Sequence, residues 1–253
     1  MLNNENSVIM KKLISFIFLF AISILIVSAQ TDKKNIIKFF PISPFFGKAT
    51  FGYERVINEK SSVTFNMGLP TGVQMENFLS SNMSDGFDAS SGSIKGLLIM
   101  PGYRINLSKK NAPLGFYFEP YLKYEKFEMD ILGEFIDDDD DRFPGGLNGN
   151  YSGFGLGFQF GAQWLISDVV SIDFTIIGTE GKIGTMELLY TDNSGGVDID
   201  DVYIELEDAL NNVPIIGDKI ELTKDVNNGL IVAKLPKQFI PGIRFAFSIG
   251  IAF

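Results

Sequence analysis

Six charged side chains fall on the small or polar side of segments that alternate with bulky residues: Glu54, Arg104, Glu119, Lys123, Asp173 and Arg244. Two carboxylates brought together at such positions can divide the work of a general acid and a general base. The other chemistry open to them is mutual neutralisation. Charges withdrawn from water are tolerated only when they pair and hydrogen-bond, so three acids and three bases in one narrow interior are expected to form a plug of salt bridges. The neutralising reading is preferred, because the remaining machinery of catalysis is missing. The chain of 253 residues contains no histidine and no cysteine. Ser–His and Cys–His couples, HExxH zinc sites, cysteine-based zinc sites, disulfides and a histidine proton switch are therefore all excluded. No catalytic residue and no cofactor is assigned, and the chain is expected not to be an enzyme.

A second cluster is the run Asp137, Asp138, Asp139, Asp140 and Asp141. Five adjacent carboxylates attract divalent cations, and Ca²⁺ or Mg²⁺ bridging to lipopolysaccharide phosphates is one use for them. A solvated acidic loop is the simpler reading, and no metal site is assigned there. Between Asp192 and Asp198 the sequence has the look of a calcium loop, but Tyr203 stands where the EF-hand needs its bidentate glutamate.

The elements that carry these residues repeat with period two. Phe245, Phe247, Ile249, Ile251 and Phe253 oppose Arg244, Ala246, Ser248, Gly250 and Ala252. Phe154, Leu156, Phe158, Phe160, Ala162, Trp164 and Ile166 oppose Gly155, Gly157, Gln159, Gly161 and Gln163. Similar alternation covers 49–57, 63–69, 97–107, 116–124 and 170–176, which is the pattern of strands with two unlike faces. The segment 35–46 is less regular, and Pro41 and Pro44 suggest an edge or a bulge. Counting from Asn35 gives eight antiparallel strands. Short turns near 58–60, 108–114 and 167–168 alternate with long loops over about 70–93, 129–150 and 181–238. Within the last loop, Asp200–Asn211 reads as a short helix with Val202, Leu206, Ala209 and Leu210 on one stripe, either packing locally over the barrel mouth or meeting a partner. The segments 219–223 and 229–235 read as a hairpin.

The expected fold is thus all-β, an eight-stranded antiparallel transmembrane β-barrel with one long extracellular loop containing a short helix. Short turns at one end and long loops at the other are typical of outer-membrane barrels, with both termini periplasmic. A soluble barrel enclosing a greasy pocket is the structural rival. Its outer face would have to be the small, weakly charged one, which is a poor solvated surface but a good lining for a narrow lumen. Lys11 and Lys12, an apolar run from Leu13 to Val27 and small residues at Ser28 and Ala29 read as a signal peptide over residues 1–29. A membrane-anchoring helix is the other reading, and this run is shorter than the roughly 20 residues a spanning helix needs. Residues 30–253 are then the barrel domain, with 19 basic and 30 acidic side chains. That balance excludes a nucleic-acid partner, which needs Lys and Arg clusters.

The runs Phe40-Pro41-Ile42-Ser43, Gly52-Tyr53-Glu54-Arg55, Pro101-Gly102-Tyr103-Arg104, Gln163-Trp164 and Gly242-Ile243-Arg244-Phe245 resemble a family of small outer-membrane barrels of unknown function, common in Bacteroidota. The resemblance implies an eight-stranded fold in a Gram-negative outer membrane and no activity. The terminal Phe253, on an alternating last strand, looks like the signal read by the barrel-assembly machinery. Expected partners are outer-membrane lipid, lipopolysaccharide and that machinery, with any surface or envelope protein unidentified. The expected role is structural or surface-interacting. A small channel or transporter for small or hydrophobic solutes is the alternative, and a lipid-modifying barrel enzyme is the remotest, since the barrel enzymes it would resemble rely on histidine.

Overall fold

The alternation gives each strand a face of large apolar groups and a face of small or polar ones, and the sheet separates the two by closing on itself. The computed structural model describes residues 33–74, 87–136, 142–192, 199–211 and 219–253. Its strands are β1 (Asn35–Phe40), β2 (Lys48–Asn58), β3 (Ser61–Pro70), β4 (Val73–Gln74), β5 (Phe87–Asn106), β6 (Gly115–Ile136), β7 (Arg142–Ile166), β8 (Val170–Asp192), β9 (Glu221–Asp225) and β10 (Leu230–Ala252); one helix, α1 (Ile199–Asn211), precedes β9. Eight of them form an antiparallel ring in the order β1-β2-β3-β5-β6-β7-β8-β10, and β10 returns to β1 from Ile36↔Ala252 to Phe39↔Ile249. The short strands β4 and β9 pair with β5 and β10 outside the ring.

The inside of the ring holds the small and polar face. Glu54, Thr64, Arg104, Glu119, Gln163 and Asp173 are buried, whereas Phe51, Phe65, Tyr103, Leu156, Phe158 and Phe245 are exposed on the outside. Two inward tyrosines of β6 explain much of the glycine on β7. Tyr117 and Tyr121 lie in register with Gly161 and Gly157, and a Cβ added at either glycine would run into the ring opposite. The β7–β8 turn is tight, with Ser167 and Asp168 both at positive φ (52° and 56°), the conformation that two-residue hairpins require.

The barrel is taller than the sequence pattern suggests. Much of the expected loops at 70–93, 129–150 and 181–238 is strand: β5 begins at Phe87, β6 runs to Ile136, β7 starts at Arg142, β8 continues to Asp192 and β10 begins at Leu230. The reason is a change of surface rather than of backbone. Above a certain height the outward residues become polar while the ladder continues, so apolar alternation ends before the strand does. The helix forms where expected, and the hairpin appears as β9 and the start of β10. Val202 packs with Ile199, Tyr190 and Ile231, and Leu147, Tyr203, Leu206 and Leu222 surround this small core on the inner face of the tall sheet. Burial, reinforced by Asp192, pushes the Tyr190 phenol up to about 12. The side chains of Ala209 and Leu210, the segment 1–29, the run Asp137–Asp141 and residues 193–198 lie outside the described residues.

The first strand also corrects an expectation. β1 is neither an edge nor bulged; it pairs on both sides and closes the ring. Pro41 and Pro44 lie beyond it, Pro41 directly after the strand and Pro44 in a tight 3-10 turn over Ser43–Phe46 that ends on Gly47 at φ 70°. The Gly47 carbonyl accepts the N–H groups of Thr71 (3.0 Å) and Gly96 (2.8 Å), and a Cβ at Gly47 would collide with the Ile94 carbonyl. Because β1 stops so early, the wall is incomplete on that side. Among the described residues, β10 pairs only with β8 between Leu235 and Ser248.

Candidate functional site

Inward-facing charge is concentrated at two heights. At the lower one, five side chains from five strands converge: Lys38 (β1), Glu54 (β2), Arg104 (β5), Glu119 (β6) and Asp173 (β8). Lys38 Nζ lies 2.6 Å from Glu54 and 2.7 Å from Asp173. Arg104 reaches Glu119 at 2.7 Å, Asp173 at 2.9 Å and Glu54 at 3.3 Å, and its guanidinium lies 3.6 Å from the centre of the Tyr117 ring. Neutral groups occupy the remaining acceptor sites. Ser62 donates to Glu54 (2.6 Å), Thr64 to Glu119 (2.6 Å) and Tyr117 to Asp173 (2.8 Å). Gln163 accepts from both Lys38 and Arg104. Every carboxylate is thus held by a cation and a hydroxyl, the condition under which buried charge is tolerated.

The upper tier contains Lys123, Glu125, Glu180 and Lys182. Lys123 bridges Glu125 and Glu180, both at 2.9 Å, Lys182 bridges the same two acids at 2.6 and 3.2 Å, and Tyr121 donates to Glu180 at 3.0 Å. Two acids and two bases balance there. The six expected residues therefore do not form one cluster. Glu54, Arg104, Glu119 and Asp173 meet below and Lys123 stands above. Arg244 meets no carboxylate within ion-pair distance among the described residues, and donates from Nε to Gln159 at 3.0 Å.

Three of the residues missed by sequence reading have a physical reason. Lys38 sits on the inward face opposite Ile37 and Phe39, but the two prolines that follow obscured the alternation of β1. Glu180 and Lys182 were hidden by a bulge. Ile176 and Ile177 are both outward, the register slips where they face β7, and the phase of alternation in β8 reverses beyond them.

In chemical terms the lower tier is a closed, fully hydrogen-bonded cluster of three carboxylates and two cations, one negative charge in excess. The free space beside Lys38, Glu54, Arg104 and Asp173 is about 10 Å³, room for about one water molecule. Among the described residues no three His, Cys, Asp or Glu side chains are placed to hold a metal ion. Phe253 follows the end of β10 and is exposed.

The outer surface has its own geometry. The cross-strand row Ile99, Tyr124, Phe154, Ile183 and Phe239 is apolar or aromatic. Four residues further up the strands, five on β10 across its bulge, the row becomes Lys95, Glu128, Asn150, Glu187 and Lys234. Below the boundary, neighbouring aromatics touch: Phe118 with Phe158 and Phe160, Trp164 with Phe174, and Phe174 with Phe247. Comparison with family models, curated proteins and solved structures gives no match to this chain.

Proposed function

We propose that this chain is an integral outer-membrane β-barrel with a structural or surface-interacting role and no enzymatic one, its lumen closed by the paired charges. The observation that carries the reading is the outer surface. Apolar residues cover it without a charge from Phe116 to Tyr124, from Phe154 to Ile166 and from Phe239 to Ile243. The nine residues of β6 and thirteen of β7, at ~3.3 Å each and tilted about 40°, rise about 23 and about 33 Å, enough to cover the roughly 25 Å apolar band of such barrels. A continuous apolar belt of that size has no place in water. Arg55, near the end of β2, stands at one border, and the polar row from Lys95 to Lys234 lies beyond the other.

On this reading the tall sheet and α1 stand outside the membrane on the cell surface, available to lipopolysaccharide or a protein partner. Phe253 is read by the barrel-assembly machinery, and residues 1–29 direct export. The channel alternative is disfavoured by the filled lumen. Purified protein in planar bilayers is expected to give no steady single-channel current at moderate voltage; reproducible conductance steps would transfer the function to transport.

A further inference from the structure

The missing pairing along β10 leaves an opening in the wall, and what lines it is specific. A cavity of about 290 Å³ connects the lumen to the outer surface between β10 and the turn after β1. Its outer walls are Ile42 and Phe46 on the turn and Ile243, Phe245 and Phe247 on β10, with Ile243 and Phe245 among the most exposed apolar residues at 71% and 70%. The charged groups of its inner wall are Lys48, Arg244, Lys123 and Glu180.

Lys48 and Arg244 differ from the other four cations inside the barrel. Lys38, Arg104, Lys123 and Lys182 are all balanced by carboxylates. Neither Lys48 nor Arg244 has a carboxylate within ion-pair distance among the described residues. Lys48 is 4.5 Å from the centre of the Phe127 ring, and Arg244 bonds only the neutral Gln159. Glu180 also borders the cavity, but Lys123, Lys182 and Tyr121 already hold it. The cavity therefore has an uncompensated positive end inside and an apolar mouth outside.

We propose that this cleft binds a single-chain fatty acid, taken laterally from the bilayer, with its carboxylate between Lys48 and Arg244 and its chain leaving past Phe245 and Phe247. The proposal rests on the membrane-spanning reading above, because the mouth must face hydrocarbon. Size selects the class: 290 Å³ lies at the small end of the roughly 300–1,000 Å³ of small-molecule pockets, enough for one acyl chain and not two. Charge selects the head group, since a carboxylate supplies the partner that both cations lack.

The test is binding of radiolabelled laurate to the purified chain in detergent micelles. Saturable binding at one site is expected, with dodecanol at least tenfold less effective as a displacer. The K48A/R244A double substitution should weaken laurate at least tenfold, and Arg244→Gln alone should weaken it in the same direction. The charge-conserving pair K48R/R244K should remain within about threefold of the parent chain. Equal displacement by dodecanol, unchanged affinity in the alanine pair, or displacement by two-chain phosphatidylglycerol as effective as by laurate would each overturn the assignment. A gel run with and without boiling separates the two levels of failure. No binding by a chain that still migrates differently before boiling removes the cleft alone. Migration unaffected by boiling removes the barrel reading, and the cleft with it.

Discussion

Arg104→Ala is expected to cost the folded barrel about 3–5 kcal/mol, the range for removing one partner from a buried ionic cluster. The loss follows from the geometry. Arg104 contacts Glu119, Asp173 and Glu54, and Glu54 and Glu119 are wholly inaccessible to solvent. Without the guanidinium, Lys38 alone must serve three carboxylates, and Glu119 is not among its partners. Unfolding in urea, followed in micelles by fluorescence and by the gel shift on boiling, measures the effect. Adding Glu119→Gln to the alanine variant should recover part of the loss, because it removes one uncompensated charge; that coupling is what a shared network gives and independent sites do not. An unchanged midpoint in Arg104→Ala would mean the lumen is wet and the pairs contribute little, as exposed salt bridges do.

Phe158→Arg is expected to destabilise the inserted barrel by about 2–4 kcal/mol, whereas the same change at Ser152 should cost at most about 1 kcal/mol. The two positions lie on the outward face of the same strand, β7. Phe158 is partnered by Pro120 and Thr179 in the middle of the apolar band, and Ser152 by Lys126 and Thr185 above it. A barrel dissolved in water would reverse the ranking, since arginine on an exposed face relieves an apolar patch. Urea unfolding of the two variants in lipid vesicles reads the difference directly.

Much of this arrangement is written in the period-two pattern, because a strand between an apolar outer surface and a narrow polar lumen has little freedom in either face. Thus Phe154 to Ile166 and Phe245 to Ile251 report their sides plainly, and the eight ring strands follow from counting such segments. Legibility fails where a second physical requirement intrudes. The bulge at Ile176 and Ile177 reverses the phase, so Glu180 and Lys182 sit on the face opposite to the one the pattern assigns. Pro41 and Pro44 end β1 without weakening it, so Lys38 went unrecognised as the second cation of the lower tier. Above the band, water accepts either face, and Thr185, Glu187 and Lys234 look like loop although they are strand. Arg244 shares its parity with Ala246 and Ser248, which shows that it points inward but not that no described carboxylate lies within ion-pair distance of it. The gap beside it depends on where β1 stops relative to β10, a non-local fact that no single segment contains.

The chain has one tryptophan, and it lies on the outward face: Trp164 is 47% exposed and stacks edge-on against Phe174. Reconstitution into vesicles of phosphatidylcholine brominated along its acyl chains places the quencher where the proposed membrane-spanning reading puts that face. Blue-shifted emission, strongly quenched relative to unbrominated vesicles, is the predicted result. Emission at the wavelength of water-exposed indole, with equal intensity in both vesicles, would contradict the claim that the bulky side of each strand meets hydrocarbon.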